Sequence, residues 1–367
     1  MPGRDAKYAR IFEALQRDLR AGRYPLGRPL PSEESLVRKY GVSRITAKRA
    51  MDELVRRGLV FRRRGSGSFA TPAARAESGL LGLVMPSLAF GEVFPAICRA
   101  LVRRAGEEGY SFLLGDISAP SPDARAEEAV AVARSFVERR VAGVVFQPLA
   151  FLDRPEGVTR EILSLFDDAG IPVVLIDRDA GAGSEGRARD FVGMDNFAAG
   201  RALGEHLLGR GARRVRFLLR PHCASTIRDR LDGVASALGA ARPRDFAIVA
   251  EPGDAAALAP VFRGRFRPDA VVCESDYVAA VFLATLSGLG VSVPDDVLLA
   301  GFDDVRFATA VSPPLTTVRQ PCDDIARVAF ATLRERMRDP TLPPRRILLS
   351  GSLVVRESTA APPPSSP

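Results

Sequence analysis

The sequence predicts an α/β protein in two parts: a small helical segment that ends in a β-hairpin, and a larger domain of two lobes with parallel sheets. The first 75 residues hold 18 Lys and Arg against seven Asp and Glu, a net charge of +11, whereas the remaining residues carry −3. From residue 80, short apolar runs alternate with helical patterns, which is typical of a parallel sheet. This series occurs twice, and a length of 367 residues accommodates two or three domains.

Three helices are expected in the basic segment. Apolar residues spaced i, i+3, i+4 and i+7 predict a helix over residues 5–21 with one buried face. After a proline-broken loop, Ser32 is a suitable N-cap for a short second helix with two glutamates in its first turn. Ser43 caps a third helix, which Gly58 ends. The outward face of this third helix carries Arg44, Ile45, Lys48 and Arg49.

A β-hairpin is expected directly after the third helix. Residues 59–70 read LVFRRRGSGSFA, two short β-like runs around a Gly-rich turn with three arginines. A short helix, a tight turn and a helix with a basic leading edge form a helix-turn-helix, and the hairpin makes it winged. Considered separately, three consecutive arginines are typical of a solvated surface, and a Gly-Ser-Gly sequence is typical of a turn without a binding function. Their order here favours DNA binding, and a nucleotide-binding loop is disfavoured because no lysine follows the glycines.

Side chains near the start of the third helix are the candidates for reading bases in the major groove, where Arg and Lys reach guanine acceptors. We expect Arg44 to contact a base, and Lys48 and Arg49 to contact bases or phosphates. The arginines and glycines of the hairpin turn suit the minor groove or the phosphates. The full set of predicted DNA-binding residues is Ser32, Arg44, Ile45, Thr46, Lys48, Arg49, Arg63, Arg64, Gly65 and Gly67.

Three motifs in this segment resemble the GntR family of bacterial winged-helix regulators. They are L-P-S-E at 30–33, G-V-S-R at 41–44 and R-R-G-S-G-S-F at 63–69, and the resemblance covers about 70 residues. The resemblance implies DNA contacts by Arg44, Thr46, Lys48 and Gly67. One departure is Glu34, which stands where many members of the family carry Arg.

The larger part is expected to hold a ligand in a cleft between its lobes, where the carboxyl ends of the strands face each other. Carboxylates, amides and arginines suit sugar hydroxyls or small polar anions. The alternative to ligand binding is a structural role, because Arg228 and Arg230 could pair with Asp229 and Asp232 on the surface. Polar candidates that follow predicted strands or begin a helix are Ser87, Gln147, Asp177, Asp195, Arg228, Arg230, Ser275 and Asp303.

Five segments of this part resemble the effector-binding domain of LacI/GalR-type repressors, which is akin to periplasmic sugar-binding proteins. They are residues 171–179, 192–215, 227–238, 293–304 and 312–321, and the similarity runs from about 79 to 358. The resemblance implies that Arg230 and Asp303 grip the ligand, and that the chain forms a homodimer. The family's stacking aromatic falls at Ala255, so Phe90 or Phe94 would have to supply a sugar platform. A GntR-type head on such a sensor is the arrangement of arabinose repressors.

These readings give the predicted domain boundaries. Residues 1–71 form the winged helix-turn-helix, 72–78 a linker and 79–358 the periplasmic-binding-protein-like effector domain. The first lobe takes residues 79–193 and 322–339, the second takes 194–318 and 340–358, and residues 359–367 are a disordered tail.

Composition narrows the function further. The last lysine is Lys48, so the large domain has no lysine for a Schiff base or a P-loop, and two histidines with four scattered cysteines disfavour zinc sites and catalytic triads. We expect no enzyme activity, catalytic residue, cofactor, metal or membrane span, and a cytoplasmic location. The prediction is a repressor that binds palindromic double-stranded DNA and a small polar effector, a sugar or sugar derivative. The rivals are an enzyme-like domain on a DNA-binding head, and a plain solute-binding protein.

Overall fold

The computed structural model describes the chain in ranges, which are 3–20, 23–25, 27–71, 74, 79–86, 93–150, 155–180, 188–221, 223–239, 243–264 and 267–360. Across these ranges, no helix combines the length and the apolar character that a membrane span requires.

The basic N-terminal segment, here called the head, is a winged helix-turn-helix as predicted. Helix α3 packs on both α1 and α2, and the apolar faces of the three helices form one buried core with the hairpin. Ser32 and Ser43 cap α2 and α3 through their side-chain oxygens. The elements are α1 (Gly3–Arg20), α2 (Glu33–Tyr40), α3 (Arg44–Arg56), β1 (Val60–Arg63) and β2 (Gly67–Ala70), the two strands being antiparallel.

The first lobe is a parallel six-stranded sheet between two layers of helices. Its strands are near-continuous apolar runs because both faces of the sheet are covered. The strand order is β13-β7-β6-β5-β3-β4. The elements are β3 (Leu80–Pro86), α4 (Val93–Glu107), β4 (Ser111–Ile117), α5 (Pro122–Glu138), β5 (Val144–Phe146), α6 (Pro155–Asp168), β6 (Val173–Ile176), β7 (Asp190–Met194), α12 (Cys322–Arg338) and β13 (Arg346–Leu349).

The second lobe repeats this plan, with strand order β14-β12-β11-β10-β8-β9 and only β14 antiparallel to its neighbour. Helices α7 and α8 cover one face, and α9 and α10 cover the other. The elements are α7 (Asn196–Gly209), β8 (Val215–Leu219), α8 (Ser225–Ala237), β9 (Ala247–Val249), α9 (Ala255–Arg263), β10 (Ala270–Cys273), α10 (Asp276–Gly288), β11 (Leu298–Asp303), α11 (Arg306–Ala310), β12 (Thr316–Arg319) and β14 (Ser352–Val354).

The C-terminal segment differs from the predicted lobe boundaries. We expected residues 340–358 in the second lobe, but strand β13 pairs with β7 in the sheet of the first lobe, and only β14 joins the second sheet. The chain changes sheets at Gly351, where an added Cβ would lie 2.8 Å from Met194 Sδ and from Val318 Cγ1. The crossing between the sheets therefore needs a residue without a side chain. The prediction failed because the apolar residues on either side of Gly351 do not indicate which sheet each strand joins.

The predicted tail and linker also need correction. Ser358 and Thr359 are fully buried, and the Thr359 hydroxyl lies 2.7 Å from Thr316 Oγ1 and 2.9 Å from His206 Nε2. Thr359 therefore belongs to the second lobe rather than to a tail, while residues 361–367 lie outside the described residues. Ala74, placed in the linker, is buried in the core of the head.

Candidate functional site

The N-terminal turn of α3 presents an exposed, positively charged face. Ser43 Oγ accepts a hydrogen bond from Thr46 N at 3.2 Å, which fixes the start of the helix. Arg44, Ile45 and Lys48 are exposed, and neither cation pairs with a carboxylate within the described residues. The opposite face of the helix is buried in the core of the head. This geometry leaves two cations and one aliphatic side chain available to a partner.

Three other predicted DNA-binding residues of the helix-turn-helix have intramolecular contacts. The guanidinium of Arg49 lies 4.7 Å from the centre of the Tyr8 ring, so it packs α1 against α3. Thr46 Oγ1 lies 2.9 Å from Ser43 Oγ. Ser32 Oγ accepts a hydrogen bond from Ser35 N at 3.1 Å as the cap of α2. These contacts hold the two helices in place and engage the polar atoms that were expected to face DNA.

The three arginines of the hairpin are not equivalent. Arg62 forms ion pairs with Asp52 of α3 at 2.7 Å and with Glu33 of α2 at 3.3 Å, so it ties the hairpin to both helices. Arg63 and Arg64 are exposed, with the Arg63 guanidinium 5.9 Å from the Phe69 ring centre. Gly65 in the turn and Gly67, the first residue of β2, have φ of 75° and 112°, a backbone that favours glycine. Arg63 and Arg64 are therefore carried on a fixed hairpin tip.

In the second lobe, Arg230 is the centre of a buried polar cluster. It is 5% exposed. Its Nε donates to Asn196 Oδ1 at 2.8 Å, Nη1 to the Glu274 carbonyl at 2.7 Å and Nη2 to Asp303 Oδ1 at 3.1 Å. The guanidinium also lies 4.6 Å from the ring centre of Phe302. The surface pairing considered for Arg230 is thus wrong, because its partners lie in α7, in β11 and directly after β10.

Glycines bring Arg230 to this position. Helices α7 and α8 cross so closely that a Cβ at Gly200 would lie 2.1 Å from the Arg230 carbonyl oxygen, and one at Gly233 would lie 2.1 Å from the Phe197 carbonyl oxygen. Any larger residue at either glycine would push α8 away from the start of α7. The close crossing therefore sets the distance between Arg230 and Asn196.

Asp303 is shared between the cluster and the segment that leads into α12. Its Oδ1 accepts hydrogen bonds from Arg230 and, at 2.7 Å, from Gln320 Nε2. Within the described residues, Oδ2 has no such partner. Asp303 has φ of 109°, outside the conformations that most residues adopt. Such strain is found mainly where a side chain is held for a function.

The matching edge of the first lobe has a second polar group. Gln147 Nε2 donates to Asp177 Oδ2 at 3.1 Å, and Arg178 donates to the same oxygen at 2.9 Å. Gln147 is 1% exposed, and its Oε1 is buried with no hydrogen-bond partner. Asp177 also has a positive φ, of 66°. An unpartnered buried acceptor is costly, so this group is suited to a ligand that donates a hydrogen bond.

The other predicted cleft residues are placed differently. Asp195 and Ser275 are used as N-caps, accepting hydrogen bonds from Ala198 N and Val278 N. Arg228 is exposed, and Phe94 is half-buried against the core of the first lobe. Ser87 and Phe90 lie outside the described residues. The structure thus joins Arg230 directly to Asp303 and Gln147 directly to Asp177.

Several polar residues of the cluster were missed in the sequence. Asn196 follows the predicted residue Asp195, yet its side chain is the one that bonds Arg230. Glu274 is 1% exposed and pairs with Arg220 at 2.7 Å. Gln320 follows strand β12. The available signal was a polar residue at the end of an apolar strand, the same signal that selected Gln147.

A protonatable carboxyl lies beside the cluster. Asp276 is fully buried, and its pKa is raised to about 8. The main cause is burial, and the second is the negative charge of Asp303. Its oxygens accept hydrogen bonds from Thr317 Oγ1 at 2.7 Å and Val305 N at 3.1 Å. Protonated Asp276 adds no second negative charge next to Asp303 at neutral pH.

Comparison with known proteins decides the family. The bacterial regulatory proteins of the gntR family match residues 7–69, and a periplasmic binding protein-like domain matches residues 205–359. The HTH-type transcriptional regulator reg1 of Streptomyces lividans is 30% identical over 301 residues, which is 79% of this chain and 83% of the relative. The chain belongs to the GntR/LacI-type transcriptional regulators.

Two further relatives show how far the likeness extends. The arabinose metabolism transcriptional repressor of Halalkalibacterium halodurans is 28% identical over 357 residues, which is 90% of each chain. The solved structure of the transcriptional regulator CelR in complex with cellobiose has a TM-score of 0.65 at 26% identity, covering 86% of this chain and 91% of that one. This GntR/LacI-type regulator therefore has relatives that are regulators and not enzymes, and an enzyme-like second domain is not favoured.

Proposed function

We propose that this regulator is a cytoplasmic repressor that binds palindromic operator DNA as a homodimer and releases it when a sugar binds between its lobes. The observation that carries the proposal is the pairing of two features in one chain. One is the exposed cationic face at the start of α3, which forms no ion pair within the described residues, and the other is the buried cluster around Arg230.

DNA binding rests on charge and accessibility. The first 75 residues carry a net charge of +11, and Arg44, Lys48, Arg63 and Arg64 are exposed at α3 and the hairpin tip. Phosphate contacts by such cations release counterions, so affinity falls steeply with salt. Base specificity comes from the side chains at the start of the helix. Arg49 and Thr46 contribute mainly by holding that helix, and Ser32 contributes by capping α2.

The effector site rests on the two polar edges. Arg230 and Asp303 offer donors and an acceptor from the second lobe, while Gln147 and Asp177 offer acceptors from the first. A sugar hydroxyl both donates and accepts, so one hydroxyl can satisfy groups of either kind. The relatives named for arabinose metabolism and bound to cellobiose support a sugar.

The homodimer rests on two exposed sheet edges. Strands β4 and β9 are edge strands of the two sheets, and Leu114 on β4 and Val249 on β9 are 51% and 62% exposed. Edge strands with apolar side chains are protected in native proteins by pairing or by covering. A second copy would cover both edges, and a twofold dimer matches a palindromic operator.

Helix α12 gives the effector signal a route to the head. Gln320, bonded to Asp303, leads into this helix, which is about 25 Å long. At its other end the Arg338 side chain packs on Gly58, the turn after the recognition helix, where an added Cβ would lie 3.0 Å from Arg338 Cγ. A sugar that takes the carboxylate of Asp303 competes with Gln320, and α12 transmits the change.

The proposal is tested with the full-length chain. An operator is first selected from random duplexes, and its affinity is measured by fluorescence anisotropy at several salt concentrations. Pentoses, hexoses and disaccharides are then screened for thermal stabilisation, since a ligand that binds only the native state raises the melting temperature. We expect one class of sugar to stabilise the protein and to release the operator.

Two results would overturn the proposal. Equal affinity for the selected and random duplexes would remove sequence-specific regulation. A sugar that stabilises the Arg230→Ala and Asp303→Ala variants as much as it stabilises the unaltered protein would remove the interlobe site.

A further inference from the structure

The recognition helix α3 exposes one large aliphatic side chain. Ile45 is 75% exposed, and it is the most exposed of the large apolar residues in the described part of the chain. The other large aliphatic residues of α1, α2 and α3 are buried in the core of the head or packed against it. Ile45 therefore buries little of its surface in the head, although it stands at the second position of the helix.

The neighbours of Ile45 define what it meets. It lies between Arg44 and Thr46, and Lys48 shares the same exposed face. Thr46 is turned back to Ser43, and Arg49 lies on Tyr8. The exposed face at the start of α3 thus consists of two cations with an aliphatic group between them. A β-branched side chain in a helix has essentially one χ1 rotamer, so the Cγ2 methyl group of Ile45 keeps a fixed position relative to the helix.

A helix start of this kind lies against the base edges of the major groove when the head is bound to DNA. Guanine, adenine and cytosine present polar groups there, and the thymine C5-methyl is the one apolar group. A polar base edge opposite Ile45 would lose water without gaining a hydrogen bond. A thymine methyl is the partner whose surface Ile45 can bury.

We infer that Ile45 reads the 5-methyl group of a thymine in each operator half-site. This inference rests on the proposed binding of DNA by α3, and it adds which base is selected and by which contact. Arg44 and Lys48 supply polar contacts on either side, and Ile45 adds discrimination against the other three bases and against uracil.

The test removes the methyl group from DNA and the side chain from the protein. Each thymine of the selected operator is replaced in turn by uracil, which lacks only the methyl group, and affinity is measured for the full-length protein. We expect one thymine in each half-site at which uracil weakens binding about fourfold, and about fifteenfold when both half-sites are changed.

The variants carry the decisive comparison. Ile45→Ala should bind the thymine and uracil operators equally, because its side chain is too short to reach the methyl group. Ile45→Val should keep part of the discrimination. Lys48→Ala, on the same exposed face, should bind more weakly but keep the full ratio. Because Ile45 is exposed, its variants should melt within about 2 °C of the unaltered protein.

Each other outcome points to a different conclusion. If no uracil substitution weakens binding, or if Ile45→Ala keeps the same thymine-to-uracil ratio, Ile45 does not read a methyl group. If Ile45→Ala changes the oligomeric mass and not the ratio, the side chain belongs to a protein contact, and the inference is again wrong. If no sequence is preferred at all, the proposed function fails, and the inference fails with it.

Discussion

The buried arginine at the carboxyl edge of the second lobe allows a quantitative prediction. Replacing Arg230 with Met keeps an unbranched, mainly aliphatic side chain but removes the guanidinium and its three hydrogen bonds. The pair with Asp303 has side chains only 6% and 15% exposed. Breaking one partner of a buried pair costs about 3–5 kcal/mol, because the other charge is left uncompensated. Asn196 Oδ1 and the Glu274 carbonyl would lose their donors as well.

The expected size can be read as a melting temperature. A domain of this size shifts by about 2–4 °C for each kcal/mol, so Arg230→Met should melt roughly 6–20 °C lower. Arg230→Lys keeps the charge but cannot serve all three acceptors, and it should lose about 1–3 kcal/mol. Arg228→Met is the matched control. This exposed residue is two positions away on α8, and its replacement should shift the transition by less than about 2 °C.

Differential scanning calorimetry on the three variants provides the measurement, and titration with a stabilising sugar provides the second readout. Arg230→Met should also lose the sugar-induced stabilisation that Arg228→Met retains. If Arg230→Met and Arg228→Met melted within 2 °C of each other, the buried cluster would not hold the edge of the second lobe. The assignment of Arg230 to the effector site would then fail too.

Three further predictions concern protonation, the wing and coupling. Native Asp276 keeps its proton up to about pH 8, whereas the same side chain in the unfolded protein loses its proton near pH 4. As the pH rises from about 4 to about 8, the free energy of unfolding should therefore fall by at most about 1.4 kcal/mol per pH unit, and thermal melts of Asp276→Asn across pH 5–8 should lack this slope. Arg62→Met breaks the ion pairs between the hairpin and helices α2 and α3, so it should weaken operator binding without changing the slope of log affinity against log salt concentration. Arg64→Met should reduce that slope by about one, and the reverse pattern in anisotropy titrations would contradict the prediction. Arg338→Ala should reduce sugar-induced release of the operator, while the affinity for the operator and the affinity for the sugar, each measured alone, stay near those of the unaltered protein. Arg327→Ala on the same helix is the control, and unaltered release in Arg338→Ala would exclude the α12 route.

Local sequence signals predicted the elements well because they act over a few residues. Ser32 and Ser43 were predicted as N-caps, and their side-chain oxygens accept from Ser35 N and Thr46 N. The alternation of apolar runs and helical patterns predicted two parallel sheets. The resemblance to known repressors selected Arg230 and Asp303, which the structure joins at 3.1 Å.

Long-range contacts explain the differences. In the sequence, Arg49 and Arg62 cannot be distinguished from the neighbouring basic residues. In the structure, the Arg49 guanidinium packs on Tyr8 of α1, and the Arg62 guanidinium pairs with carboxylates of α2 and α3. Asn196 and Glu274 meet Arg230 across 34 and 44 residues of chain. No spacing rule connects such residues, because the separation depends on how α7 crosses α8.

The sequence by itself determined the fold class, the basic head, the absence of lysine from the large domain and the family motifs, since each of these is written in composition or in short-range pattern. Only the tertiary structure decided which cations stay unpaired, which sheet receives β13 and which polar residues surround Arg230. The physical reason is that pairing and burial depend on distances between residues far apart in the chain, and packing of whole elements sets those distances. The head that carries a net charge of +11 therefore presents only part of its charge to a partner.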